Sequence, residues 1–408
     1  MKEYDRIQIQ DICSRISSGG TPKSTVEKYY GGNIPWLNTK EVNFNRIHST
    51  ERTITEEGLQ NSSAKWIDEN AVIVAMYGAT AGKSAISKIR LTTNQACCNL
   101  NIDPDKADYR FVYYALYNDY SRLASLANGG AQQNLNAMQI KEFEIPYPSI
   151  EEQTAIANFL SALDDKIEVN RQINDNLEQQ AEALYKSWFI DFEPFSEEEF
   201  IESSLGSIPT GWKVGELNDV CEIVGGGTPS KNHPEYYCER GIAWLTPKDL
   251  SVSKSKFSSR GSEDITPEGY KNSSTKLMPR GTVLFSSRAP IGYISIATNE
   301  ICTNQGFKSA VPGIAGTGYL YYFLKANTDK IESKASGSTF KEASGALMKS
   351  LEIIIPADGI LNQFEAELAP ILNKQENIAS EIQALTTLRD TLLPKLMSGE
   401  LKINEIDC

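Results

Sequence analysis

Gly20-Thr21-Pro22 recurs 207 residues later as Gly227-Thr228-Pro229, and this tripeptide opens a collinear series of repeats. Further pairs follow in the same order, 207 to 211 residues apart: Tyr29-Tyr30 and Tyr236-Tyr237, Trp36-Leu37 and Trp244-Leu245, Asn61-Ser62-Ser63 and Asn272-Ser273-Ser274, Thr93-Asn94-Gln95 and Thr303-Asn304-Gln305, Ile145-Pro146 and Ile355-Pro356. A repeat at a nearly fixed offset determines the architecture. The sequence therefore predicts two copies of one domain.

Each copy mixes strand and helix patterns. Compact apolar runs of strand length lie at 72–76 and 283–285, and glycine soon follows each of them. A helix is expected over 109–126, with an echo over 319–326. This mixture predicts an α+β domain of roughly 150 residues.

The period changes after each copy. From 153 to 188, apolar side chains alternate at spacings of four and three, as Ile156, Leu160, Leu163, Ile167, Leu177, Leu184 and Trp188, with Asn170 and Asn174 at two seam positions. The segment after the second copy repeats the pattern with Phe364, Ile371, Ile378, Ile382, Leu385 and Leu392. Sustained seven-residue repeats predict long helices, the first roughly 54 Å long.

Two such helices in one chain most simply pack against each other, with the paired asparagines setting their register at some cost in stability. The alternative is that each apolar stripe covers its own globular domain. In that case Pro370 allows a break near the start of the second helix.

The net charge of −13 is unevenly placed. Residues 1–150 carry 16 basic and 16 acidic side chains, and residues 203–359 carry 17 and 15. Residues 151–202 carry 3 and 14, and residues 360–408 carry 4 and 8. The charge of the two balanced segments therefore permits DNA binding, whereas the acidic segments suit a protein partner or solvent.

Other composition signals exclude several classes of protein. The seven cysteines include no C-x-x-C pair, and with only His48 and His233 a zinc site of the usual spacing cannot be assembled. No apolar run approaches membrane-spanning length, and no secretory signal is visible. We expect reduced thiols, a cytoplasmic protein and no role at a membrane.

The stretch 78–84 resembles a phosphate-binding loop, but three residues rather than four separate its glycines. Its counterpart at 287–293 keeps one glycine and loses the lysine. A tight turn that presents Lys83 or Arg288 to a phosphate or a base is the better interpretation. Since no motif of a DNA-methylating enzyme or a nuclease was found, we expect no catalytic, cofactor-binding or metal-binding residue in this chain.

Polar and basic groups near predicted turns are the candidate DNA contacts, because such side chains pair with base edges and phosphates. They are Thr39, Lys40, Tyr77, Lys83, Asn94, Gln95, Gln132 and Gln133 in the first copy, and Lys248, Arg288, Asn304 and Gln305 in the second. The alternative for the Asn-Gln pairs is that their amides tie loops to the backbone. Positions where the copies differ are the better candidates for specificity.

Several stretches, taken in order, resemble the specificity subunits of type I restriction-modification systems. They are 145–153 (IPYPSIEEQ), 163–168 (LDDKIE), 187–189 (SWF), 208–212 (IPTGW), 388–396 (LRDTLLPKL) and 398–401 (SGEL). The resemblance covers essentially the whole chain.

The resemblance implies two α/β target-recognition domains connected by two long antiparallel coiled-coil helices with pseudo-twofold symmetry. The segments would be recognition domains at 1–150 and 196–359, a central helical spacer at 151–195 and a C-terminal helical region at 360–408. Each domain would read one half of a bipartite site in double-stranded DNA, and the helices would fix the gap.

The family also implies partners. Methylation subunits, two in number, would dock on the helices and bring S-adenosylmethionine, and motor-nuclease subunits would bring ATP and magnesium. Because the two recognition domains carry little net charge, the chain alone should bind DNA weakly.

Two other functions stay open. A fused methyltransferase or nuclease would show activity in the pure chain. A coiled-coil scaffold without a DNA role would show no sequence-selective binding even with methylation subunits present.

Overall fold

The computed structural model describes residues 4–127, 134–337 and 341–403. It comprises two compact units, Met1–Glu168 with Gln383–Cys408, and Val169–Ile382. We call them unit 1 and unit 2. Each unit contains one copy of the repeated domain and one part of each long helix, Ile150–Phe189 and Ile360–Ser398.

A five-stranded sheet forms the centre of unit 1. Its strands in chain order are β1 (Cys13–Ser18), β2 (Asn45–Ile47), β3 (Val72–Ala75), β4 (Ser84–Ser87) and β5 (Cys97–Ile102). Their spatial order is β1-β5-β3-β4-β2, antiparallel except for the parallel β2–β4 pair.

The central strand β3 is buried on both faces. Successive side chains of a strand point to opposite sides. Val72 and Val74 enter the core that also holds helix Tyr109–Asn118, while Ile73 and Ala75 enter a second core. This explains why the strand is a continuous apolar run rather than an alternating one.

The other elements of unit 1 surround this sheet. Strands Tyr30–Leu37, Arg52–Ile54, Trp66–Ile67 and Leu91–Thr93 form a four-stranded sheet, and Arg6–Gln8 pairs with Glu144–Pro146. The short helices are Glu56–Gln60, Tyr109–Asn118, Tyr120–Ser125 and Ala137–Lys141.

Unit 2 repeats the central sheet. Its strands are β6 (Cys221–Gly225), β7 (Phe257–Ser258), β8 (Val283–Ser287), β9 (Ile291–Ala297) and β10 (Lys308–Pro312). The order β6-β10-β8-β9-β7 matches that of unit 1 strand for strand, again with one parallel pair, β7–β9. The predicted duplication and mixed fold class are confirmed.

Smaller elements complete unit 2. The hairpin Phe200–Ser203 with Gly206–Pro209, the pair Lys213–Glu216 with Glu352–Ile355, Tyr237–Cys238 with Asp264–Ile265, and the parallel pair Trp244–Leu245 with Cys302–Thr303 are its other strands. Its short helices are Leu217–Val220, Pro247–Ser253, Pro267–Lys271, Thr317–Ala326, Thr328–Lys334 and Gly345–Lys349.

The helix expected over 109–126 is interrupted. It ends at Asn118, and a second helix starts at Tyr120. Asp119 between them has φ −89° and ψ 14°, outside helical geometry, and its carboxylate pairs with Arg6 and Arg122. The second copy breaks at the equivalent Asn327, between Thr317–Ala326 and Thr328–Lys334.

The long helices pack both on each other and on the domains, so both sequence interpretations are partly right. In unit 1 the early residues Ile156 and Leu160 share a core with the late residues Leu393 and Leu396. In unit 2 the late residues Tyr185 and Trp188 share a core with the early residues Leu361 and Phe364. The helices therefore run antiparallel in each unit, and the second continues through Pro370.

All predicted seam side chains are buried or half-buried, Asn170 and Asn174 included. The register role of the two asparagines stays a prediction. Among the described residues, no helix is long and apolar enough to cross a membrane.

Candidate nucleic-acid interface

A braced turn carries the Gly-Thr-Pro repeat in both copies. The indole Nε1 of Trp36 donates to the carbonyl oxygen of Gly20 at 2.9 Å, and Trp244 does the same to Gly227 at 3.1 Å. A Cβ on Gly20 would lie 2.3 Å from the backbone nitrogen of Ala64, so no larger residue fits there. Thus the repeat is conserved within the chain because it holds one backbone shape.

An exposed threonine–glutamine pair lies on this turn. The hydroxyl of Thr21 donates to the side-chain oxygen of Gln95, and Thr228 donates to Gln305 in the same way. Both glutamines are exposed. Because the amide oxygen accepts from the threonine, the NH2 group is the one that can donate to a ligand.

The asparagine that precedes each glutamine braces the loop instead. Thr39 and Asn94 are only 6% and 7% exposed, and the Thr39 hydroxyl donates to the Asn94 side-chain oxygen at 3.0 Å. The Asn304 oxygen accepts from the Gly306 backbone nitrogen at 2.8 Å. Buried side chains offer no surface to a duplex, so for Thr39 and Asn94 the loop-tying alternative is the better one.

The candidate lysines differ in their partners. Lys40 pairs with Glu51 at 2.5 Å on the surface. The Lys83 ammonium donates to the Asn43 side-chain oxygen at 2.6 Å, and Lys248 is exposed in the first turn of its helix. The positions Gln132 and Gln133 lie outside the described residues.

In the backbone of unit 1, Tyr77 rather than Lys83 occupies the position equivalent to Arg288 of unit 2. The residue before each makes the same bond, Met76 N to Ala96 O at 2.8 Å and Ser287 N to Gly306 O at 2.7 Å. Tyr77 then bridges Asn134, as Arg288 bridges Glu342. The sequence alignment missed this equivalence because the turn from Tyr77 to Gly82 is one residue longer than the turn from Arg288 to Gly292, where both glycines have positive φ.

Lys65 and Lys276 each lie four residues after the first asparagine of the Asn-Ser-Ser repeat, and they are not among the contacts predicted from the sequence. Both side chains are exposed. Each follows the residue whose backbone nitrogen abuts the Gly-Thr-Pro turn, Ala64 in unit 1 and Thr275 in unit 2. The repeat was the signal that could have found them, since it keeps a lysine beside the turn in both copies.

In unit 1, polar side chains attach the domain to the long helices, and sequence reasoning missed them. Arg46 on β2 pairs with Asp165 and also donates to the Ser161 carbonyl at 3.3 Å. The Tyr114 hydroxyl donates to Asp164 at 2.6 Å, and the other oxygen of Asp164 accepts from Arg389 at 2.7 Å. Asp164 and Asp165 lie on helix Ile150–Phe189, and Arg389 lies on helix Ile360–Ser398.

In unit 2, the largest such group centres on Glu178. Glu178 accepts from Lys256 and Lys325, each at 2.6 Å, from the Tyr322 hydroxyl at 3.1 Å and from the Gln375 amide at 3.1 Å. Burial raises the pKa of Glu178, but Lys256 and these hydrogen bonds outweigh it and hold the pKa at about 2. Burial lowers the pKa of Lys256 to about 8 even though Glu178 opposes that shift.

Among the described residues, no group of three metal-ligating side chains is arranged to hold an ion. His48 instead lies 2.7 Å from Glu168, and His233 lies 2.9 Å from Glu235.

Comparisons with known proteins agree over nearly the whole chain. The model of the family described as type I restriction modification DNA specificity domain matches residues 1–179 and 209–395. The type I restriction enzyme MjaIX specificity subunit of Methanocaldococcus jannaschii is 30% identical, over 99% of this chain and 95% of that protein. The HindI specificity subunit of Haemophilus influenzae is 25% identical, over 69% and 74%.

A solved structure supports the fold. The S subunit of a type I restriction-modification system from M. genitalium has a TM-score of 0.63 to this chain, at 18% identity, over 97% of this chain and 96% of that one.

Proposed function

The chain belongs to the type I restriction-modification DNA specificity family, and from that membership we propose that each of its two domains reads one half of a bipartite DNA site. The chain itself does no chemistry in this proposal. Methylation subunits carry S-adenosylmethionine, and motor-nuclease subunits carry ATP and magnesium. The two domains bind double-stranded DNA.

The observation that carries the proposal is the duplicated exposed pair Thr21–Gln95 and Thr228–Gln305. Glutamine donates to base edges in the major groove. Each pair sits on a turn fixed by a tryptophan and bordered by a lysine, Lys65 or Lys276. Two equivalent rigid platforms suit a protein that reads two short half-sites.

The ion pairs and hydrogen bonds that attach each domain to the long helices support a spacer role for these helices. Each domain is attached by charged side chains to residues near the middle of these helices, at Asp164 in unit 1 and at Glu178 in unit 2. A reader that could slide along a helix would not hold a fixed gap between half-sites. We therefore assign the gap length to the helices, under the predicted division into segments 1–150, 151–195, 196–359 and 360–408.

The acidic helical segments are the proposed docking surface for two methylation subunits. Residues 151–202 carry 14 acidic and 3 basic side chains. Such a charge would repel a DNA backbone, so this surface suits a protein partner.

Mapping methylated adenines genome-wide tests the proposal, in a host with and without this chain and with its methylation subunits present throughout. The expected result is a split motif of two short half-sites around a fixed gap that disappears with the chain. Unchanged methylation would contradict the proposal and favour a scaffold without a DNA role.

A further inference from the structure

The end of the central strand carries different chemistry in the two domains. In unit 2, a carboxylate lies between two cations: Glu342 is 3.6 Å from the Arg288 guanidinium and 3.5 Å from the Lys308 ammonium. All three side chains are partly exposed, at 37%, 17% and 39% for arginine, lysine and glutamate. The group carries a net charge of +1.

The same three positions in unit 1 are uncharged. Tyr77 bridges Asn134 as Arg288 bridges Glu342. Cys98 pairs with Ser18 of β1, where Lys308 pairs with Gly225 of β6. Tyr77 is 44% exposed, so this position reaches the surface in both domains.

The guanidinium of Arg288 is held loosely. A separation of 3.6 Å is longer than a hydrogen bond, so Glu342 attracts Arg288 without using its donors in a fixed geometry. The preceding residue, Ser287, bonds to Gly306, which directly follows Gln305. Arg288 therefore lies beside the glutamine that we propose as a base contact.

From these observations we infer that Arg288 specifies a guanine in the half-site read by unit 2. This inference rests on the proposed function. The planar fork of arginine matches the O6 and N7 acceptors of guanine in the major groove. Glu342 keeps the fork near its binding position in the free protein. Tyr77 offers one hydroxyl and a ring, so unit 1 reads its corresponding base pair without a guanidinium.

Methylome mapping of the whole complex with Arg288→Gln and Arg288→Lys tests this inference. Both variants should accept other bases at one guanine position of one half-site, with discrimination there falling about 10-fold to 100-fold. The other half-site and the gap should not change. Arg288→Lys separates fork geometry from charge, because lysine keeps the charge and loses the bidentate fork.

Arg240→Gln is the matched control, since Arg240 is an exposed arginine of the same domain. It should leave the motif unchanged. An unchanged guanine preference in both Arg288 variants would overturn the inference alone. Uniform loss of methylation at all positions in Arg288→Gln, with an unchanged guanine preference in Arg288→Lys, would overturn it too, because a phosphate contact needs only the charge that lysine keeps. The absence of any chain-dependent motif with the unaltered chain would overturn the proposed function and the inference with it.

Discussion

The two domains share a strand order but attach to the long helices by different charges. In unit 1 the attachment is distributed: Arg46 meets Asp165, Tyr114 meets Asp164, and Arg389 meets the same Asp164. In unit 2, Lys256 and Lys325 both meet the carboxylate of Glu178, while Lys325 also meets Glu182 and Arg280 meets Glu376. A duplicated fold has therefore kept the place of the attachment and changed the pairs that form it.

This difference has an energetic consequence. When one carboxylate serves two partly buried cations, its removal takes the ion pair from Lys256 and leaves Lys325 with Glu182 alone, which costs more than the loss of one pair from several. Removal of Glu178 should consequently lower the stability of unit 2 more than removal of any one anchoring side chain lowers the stability of unit 1.

Glu178→Ala should have the largest effect, lowering the local stability of unit 2 by roughly 3 kcal/mol. Hydrogen exchange of helix Thr317–Ala326, which carries Tyr322 and Lys325, would measure it. Glu182→Ala is the control, because Glu182 also meets Lys325 but is 47% exposed, and its loss should cost under about 1 kcal/mol. Equal effects of the two variants would mean that Glu178 stabilises unit 2 no more than the exposed Glu182 does.

Arg389→Met should have a smaller effect in unit 1, roughly 2 kcal/mol, because Asp164 retains the Tyr114 hydrogen bond. Hydrogen exchange of helix Tyr109–Asn118 is the readout. Lys395→Met removes an exposed cation from the same helix and should cost under about 0.5 kcal/mol. A loss in Arg389→Met as large as in Glu178→Ala would break the contrast between the units.

Acid should weaken unit 2 through Glu178. Its pKa is lowered from 4.5 to about 2 in the folded chain, so the stabilisation is complete above the unfolded value and is lost as the pH falls through 4.5 toward 2. Between pH 5 and pH 3, urea unfolding of the unaltered chain should lose roughly 1 to 2 kcal/mol more than that of Glu178→Gln. Parallel pH curves for the two proteins would contradict this role.

The smallest difference is expected where the two domains agree. Lys65→Ala and Lys276→Ala should each weaken DNA binding by the complex at all sequences alike and reduce the salt dependence by about one phosphate contact. Lys213→Ala is the control, because Lys213 does not border the Gly-Thr-Pro turn. Its strand pairs with Glu352–Ile355, which leads toward the second long helix. A change in base preference with either lysine variant would argue against phosphate contact.

Much of the fold follows from the sequence, because periodicity is a local property. The apolar pattern predicted a helix over 153–188, and the observed helix begins at Ile150 and ends at Phe189. The repeat predicted two copies of one domain, and the two central sheets have the same strand order. The break at Asp119 was missed; it recurs at Asn327 in the second copy, so the pair between Asp119 and the distant Arg6 does not by itself explain it.

The site was less predictable, because neighbouring polar residues can have opposite roles. Asn94 is buried and ties a loop, whereas Gln95 beside it is exposed and holds Thr21. Only the path of the turn separates them. Likewise Arg46 and Asp165 meet across 119 residues, and neither has a local signal.

The most direct test of two independent readers is to exchange residues 203–359 for the corresponding domain of a relative with a known target and to map methylation again. If the two domains read independently, one half-site changes to that of the relative, while the other half-site and the gap stay as they were. A change in both half-sites, or an unaltered motif with the exchanged chain assembled in the complex, would contradict it.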